Sequence, residues 1–486
     1  MGVVAIQSFK NIVSTYLGFF IGAINTLFLY TEFLTDDYYG MVGYMLSLAY
    51  VIMPLMSFGM HNTLVKFYST FKTRVALNSF LTLMLVLPFC IILPLICIVY
   101  FSYDTIAAFL SSKNEIIKGY LWHTFIIAIA LAYFEVFFAW AKVQMQTVFG
   151  NFMKEVFHRV CSMLLLFALH FKIISLEQFM AGLVVIYVLR MLVMSVYAFS
   201  IKLPVITFGK VSGLNSILKY SALIIVAGLI ATQLLDIDKV MMGQYLNPMR
   251  NIAYYNVAIF ISTVIAVPQR AMHQLLSPMS AKYLNDRDFN SLEDLYKRSS
   301  LSLFVVGGLI FLLIILNINQ LYLLIDTEYS VGLYVVLLIS VSKLYDSLLG
   351  SNNAILFNSD YYRFVLIIGV VIIAIMVLLN IVLIPMCGIN GAAIATFIAV
   401  FLYNTIKLYF VYRKFKLFPF TMATFKIGLL LLTSALLFYF WEFSFHPIVN
   451  IGLKSILITV LYTIVIYRFN LSDDISRVIK KLIKLK

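Results

Sequence analysis

Residues 80–101 read FLTLMLVLPFCIILPLICIVYF, a run from Phe80 to Phe101 without a charged side chain. As a helix rising about 1.5 Å per residue it spans roughly 33 Å, enough to cross a hydrocarbon core about 30 Å thick. Polar and apolar residues do not alternate along it, so it is not a barrel strand. Inside lipid, only a helix or a closed barrel satisfies the backbone. This stretch therefore predicts a transmembrane helix, and the rest of the chain repeats its pattern. Further spans are expected at about 11–31, 41–61, 119–141, 156–171, 179–199, 217–236, 251–273, 300–317, 331–349, 363–381, 389–411, 425–441 and 449–467, which makes about fourteen. With 63% hydrophobic and 12% charged residues and a mean hydropathy of +1.00, the composition lies far from that of soluble domains, which carry about 25% charge. The fold class is an all-α polytopic membrane protein.

Charge placement tests this map, because cytoplasmic loops accumulate Lys and Arg. With the N-terminus inside, the inner segments collect most of the cations, from Lys66, Lys72 and Arg74 through Lys142, Lys154 and Arg159 to the basic tail at Arg468–Lys486. Only Lys113, Lys118, Lys172, Lys239 and Arg250 fall in outer loops. An odd number of spans would invert everything beyond the error, so both termini are expected in the cytoplasm. The net charge of +14 is then explained by topology and by contact with anionic membrane lipids, with no nucleic acid partner. The tail reads as a basic helix lying on the inner leaflet. Cys90, Cys97, Cys161 and Cys387 form no CxxC pair, so neither a disulfide framework nor a metal site is expected. The first span lacks a small-residue cleavage site and reads as a retained helix.

Outer loops are short and leave no room for an extracytoplasmic domain. Shifting the chain against itself by 212 residues places Leu34 on Leu246 and Met60-His61 on Met272-His273, and at an offset of 211 Ala181 falls on Ala392. This predicts two six-helix bundles, residues 1–210 and 211–415, in a pseudo-twofold arrangement about the membrane normal. Two extra C-terminal helices and the cytoplasmic tail, residues 416–486, follow. Such repeats are transporter architecture, with alternating access by rocking of the bundles.

Two segments carry a resemblance. The seventh and eighth spans contain Asp236-Ile237-Asp238-Lys239-Val240-Met241-Met242-Gly243-Gln244-Tyr245 and Ala253-Tyr254-Tyr255-Asn256-Val257-Ala258. The twelfth is entered through Leu383-Ile384-Pro385-Met386-Cys387-Gly388-Ile389-Asn390-Gly391-Ala392-Ala393. In these motifs and in its helix count the chain resembles the polysaccharide flippases (O-antigen and capsule type) of the multidrug, oligosaccharidyl-lipid and polysaccharide exporter superfamily. The resemblance implies a non-enzymatic flippase in the bacterial inner membrane. Its substrate would be an undecaprenyl-diphosphate-linked oligosaccharide for surface polysaccharide such as lipopolysaccharide O-antigen, its partner a polysaccharide polymerase, and no cofactor beyond proton or sodium coupling is implied.

Charges within spans are costly and mark function. Arg190, near the middle of the sixth span with Tyr187 and Met194 on its face, is the first candidate for a diphosphate contact, since a guanidinium fork suits phosphate. The bland alternative makes it a buried partner of Glu135. Lys343, Arg270 and Lys239 are further candidate substrate contacts. Glu135, Asp238 and Asp346 are candidate ion-coupling carboxylates. Asp236 and Lys239, three residues apart, share a helix face and are expected to satisfy each other, and Lys343 and Asp346 repeat that spacing.

Three rival functions remain. A multidrug antiporter of the same superfamily needs acidic groups for cationic cargo, whereas the deepest charge here is Arg190. A lipid II flippase expects several first-half arginines, and from sequence only Arg190 qualifies. A membrane glycosyltransferase would use paired carboxylates such as Asp36 and Asp37, although the loop holding them is short.

Overall fold

The protein is described as a computed structural model covering residues 2–484, with backbone alone for residues 2–6, 8, 9, 227, 229–235, 274, 478, 479 and 481–484. Every regular element among the described residues is helical. Among the described residues, eleven helices are long and apolar enough to cross a membrane. The difference from the expected fourteen has identifiable sources. Tyr362–Phe415 is a single element that Gly388, at φ 59° and ψ −136°, divides into two. The expected seventh span falls on Leu214–Tyr245, where the side chains at 227 and 229–235 lie outside the description. The expected fifth span starts at 148 rather than 156 and carries Lys154, Glu155 and Arg159 inside its helix.

The chain packs as two compact units, Met1–Asn256 and Val257–Lys486. That division differs from the repeat boundary at 210/211, because helix Leu214–Tyr245 packs on Asp36–Met56 within the first unit.

In the first unit α1 is Gly2–Ile24, continued by a π turn, Asn25–Leu29. It is followed by α2, Asp36–Met56, α3, Met60–Phe67, and α4, Arg74–Phe101. Next come α5, Ile116–Lys142, and α6, Val148–Phe152, which runs without a break through the π turn Met153–Phe157 into α7, His158–His170. Then come α8, Leu176–Ile201, and α9, Leu214–Tyr245, and α10, Arg250–Thr263, begins in the first unit and continues into the second. In the most apolar of these, α4, only 22% of the residues of its apolar 18-residue stretch are buried, against 89% in that of α5. Lipid tails are as apolar as leucine, so the hydrophobic effect does not drive helices together here and packing does. Small residues do this in α5, where Ala128, Ala130, Ala132, Ala139 and Ala141 are buried and let α2 and α8 approach.

The second unit contains α11, Val267–Asn285, α12, Phe289–Ile325, α13, Leu333–Leu348, α14, Asn352–Asn358, and α15, Tyr362–Phe415. The extra pair, α16, Met422–Tyr439, and α17, Pro447–Arg468, packs on α12. Phe304, Leu312 and Leu316 of α12 meet Ile427 and Leu431 of α16 and Ile458 of α17 in one core, and Tyr462 Oη donates to Val305 O at 3.1 Å. The expected basic tail helix is α18, Asp473–Lys484; Lys486 lies outside the described residues. Arg298 holds α18 with a two-pronged contact, Nη2 to Asp474 Oδ1 at 2.6 Å and Nε to Oδ2 at 3.1 Å.

Candidate functional site

The first unit gathers charge around Glu135. Its carboxylate accepts from Lys154 Nζ at 2.6 Å, and Lys142 and His61 lie within its field. One turn along the same helix from Lys154, Arg159 pairs with Glu155 at 3.1 Å. Both acidic groups of the cluster are thus taken by cations.

Arg190 is not Glu135's partner, which corrects the bland expectation. It is 2% exposed, with its guanidinium 4.0 Å from the Phe134 ring centroid and 5.3 Å from that of Tyr187. Among the described residues it donates no hydrogen bond, and its Nε is buried without a partner. Lys154 and His158 both feel its charge. Aromatic faces hold the planar cation by cation–π attraction and leave its N–H groups unused.

Sequence reasoning counted Lys154 and Arg159 with an inner segment, although Arg159 falls within the expected span 156–171, and missed both as site residues. They belong to the unbroken helix at 148–170, and the signal was there. Glu155 and Arg159 are at i, i+4, a helical ion-pair spacing, and Gly18 and Gly22 form a GxxxG face on α1. That face receives them: a Cβ on Gly18 would lie 2.3 Å from Glu155 O and one on Gly22 would lie 3.1 Å from Arg159 Nε. Asn25, 3% exposed, donates to Arg159 O at 2.8 Å.

The other expected site residues divide into two groups. Asp236 and Lys239 lie 3.3 Å apart, with Ser47 Oγ donating to Asp236 at 3.0 Å. Asp238 is fully buried and accepts from Tyr255 Oη at 2.6 Å. Lys343, Asp346 and Arg270 come together in the second unit, within one another's fields, and Lys407 joins them. Asp36 and Asp37 are engaged structurally: Asp37 Oδ1 accepts the backbone N–H of Arg250 at 2.9 Å, and Asp36 Oδ2 accepts Tyr254 Oη at 3.3 Å.

No protein-family model matches the sequence, and no curated protein is similar to it. Solved structures are similar in fold. The lipid II flippase MurJ in an inward closed conformation superposes with a TM-score of 0.73 at 15% identity, over 96% of this chain and 99% of that one. The chain has the fold of the MOP-superfamily transporters. An inward-facing multidrug resistance MATE family transporter gives 0.58 at 11% identity, over 84% of this chain and 94% of that one. A MOP superfamily transporter from Pyrococcus furiosus gives 0.53 at 11% identity, over 85% and 95%. The protein is a multi-pass membrane protein of this fold.

Proposed function

We propose that this protein is a flippase that carries a lipid-linked oligosaccharide diphosphate across a bacterial inner membrane for surface polysaccharide synthesis. One observation carries the reading: Arg190 is a buried cation with unused N–H donors, set among Lys142, Lys154 and Arg159. A diphosphate is the group whose charge most needs such donors in a low-dielectric setting. Glu135 and Glu155 are already occupied, so the cluster repels a cationic drug, which disfavours the antiporter reading. Glu135, Asp238 and Asp346 remain the proposed residues for proton or sodium coupling, and a polysaccharide polymerase remains the proposed partner. Asp36 and Asp37 have structural partners, which supports a role outside catalysis.

A second reading, a lipid II flippase, gains from Arg159. With Arg190 it provides a second first-half arginine beside the cluster, which the sequence seemed to lack. Both readings use the same diphosphate chemistry and differ in the glycan. Depleting the protein in its host, with mass spectrometry of undecaprenyl-linked intermediates and inner-leaflet lectin labelling, tests them. A complete, unpolymerised repeat unit on the inner leaflet supports the first reading, and accumulated lipid II the second. An unchanged lipid-linked pool with altered drug susceptibility overturns both.

A further inference from the structure

At the offset of 211 that relates Ala181 to Ala392, Glu135 falls on Asp346, and at the offset of 212 it falls on the adjacent Ser347, so each unit has a carboxylate within one residue of the same repeat position. The two sites are built differently. In the first unit Lys154 closes on Glu135 at 2.6 Å. In the second, among the described residues, the Asp346 carboxylate accepts no hydrogen bond and has no ion pair, although Lys343 and Lys407 lie within its field. Only its backbone oxygen is engaged, by Gln269 Nε2 at 3.2 Å and within its own turn by Leu349.

The donors around it are equally unspent. Lys343, half-buried, donates no hydrogen bond among the described residues. Lys407 is 3% exposed; it gives one N–H to Asn353 Oδ1 at 2.8 Å and rests 4.1 Å from the Tyr403 ring centroid. An ammonium has three donors, so two remain. Asn404, one turn before Lys407 on α15, and Asn352, next to Asn353, are each buried with an Nδ2 that finds no acceptor. Arg270 also lies within the field of Lys343. Lys343 and Lys407 carry one charge more than Asp346, and such a surplus in a membrane-embedded unit is costly and is retained where something binds. The surplus is of donors and positive charge, so the missing occupant is an anion with several acceptor oxygens.

We propose that the second unit holds an oxyanion site in which Lys343 and Lys407, supported by Arg270, take a carboxylate or phosphate borne by the transported glycan, while the charge of Asp346 limits its affinity. This deepens the flippase reading and rests on it, since it assigns an acidic group to the glycan.

The test uses the full-length protein in neutral-lipid nanodiscs at low salt, titrated separately with glucuronate, inorganic phosphate and inorganic pyrophosphate. The Lys343→Gln, Lys407→Gln double variant is expected to weaken glucuronate or phosphate binding at least tenfold. Asp346→Asn removes the one repulsive charge and is expected to tighten it at least threefold, a gain that misfolding cannot produce. Preference for glucuronate assigns the oxyanion to an acidic sugar, and preference for phosphate assigns it to a phosphorylated one. Unchanged affinity in the double variant, weaker binding in Asp346→Asn, or no binding to either protein overturns the site. Pyrophosphate binding in Arg190→Gln reports on the flippase reading separately. If that affinity is unchanged while the second-unit variants respond, the diphosphate assignment falls and the oxyanion site stands.

Discussion

Arg159 lies against Gly22, its Nε where a Cβ on that glycine would approach to 3.1 Å, and its Nη1 is 2.8 Å from the Cβ position of Gly18. The GxxxG face of α1 is therefore a cradle for a charged helix as well as a packing surface. At Gly18 the nearest obstacle is the backbone oxygen of Glu155, which cannot rotate away. Gly18→Ala is expected to destabilise the protein by about 1–3 kcal/mol, the usual range for overpacking, and to lower transport. Gly22→Ala, facing a flexible side chain, should do less. Thermal unfolding in detergent together with complementation of a depleted host checks both, and equal effects at the two positions would contradict the cradle.

Removing a buried charge that lacks a partner should stabilise the fold while harming function. For Arg190→Met the expected result is a raised Tm, corresponding to roughly 1 kcal/mol or more, with transport lost. Arg190→Lys keeps the charge but not the planar fork over Phe134, and a roughly tenfold loss of transport is expected. A lowered Tm in Arg190→Met would mean that the guanidinium is structural.

Asp37 accepts the first N–H of helix α10, so its carboxylate acts as a cap. Asp37→Ala is expected to lose about 0.5–2 kcal/mol of stability. The Asp36→Asn, Asp37→Asn pair should retain transport in proportion to folded protein. Complete loss of function in a well-folded double variant would revive a catalytic role for these carboxylates.

Acid should release the tail helix. The hydrogen bond from Arg298 holds the Asp474 carboxyl below its usual 3.8, with the positive charges of Arg298 and Arg477 adding to it. A depressed carboxylate contributes stability that is present above its unfolded value and lost as pH falls through the folded one. Protection of α18 from proteolysis is therefore expected to be constant from neutral pH down to about 4 and to fall below that, with Asp474→Asn unprotected throughout. A loss of protection near pH 6 would point to a histidine instead.

The sequence by itself determined the solvent and the all-helical class of the fold, while its count of fourteen spans stands against eleven among the described residues. Runs such as 80–101 admit only one structure in lipid, and Pro385 with Gly388 marked the break in α15 that the left-handed Gly388 makes. It also singled out Arg190, because a charge in the middle of an apolar run is visible without coordinates. Tertiary structure decided what that charge touches. Hydropathy windows end a span where charges begin, so Lys154 read as a loop residue and Arg159 as the inner end of a span until their helix was seen to start at 148 and to seat Glu155 and Arg159 on α1. Lys407 was likewise only one in-span lysine among several. Its meaning depends on Tyr403 one turn earlier on its own helix and on Asn353 and the open Asp346, which come from two other helices, and no spacing along the chain encodes that convergence. Period and composition are local, whereas pairing of charges depends on which helix faces are brought together, so the fold was legible and the choice between closed and open ion clusters was not.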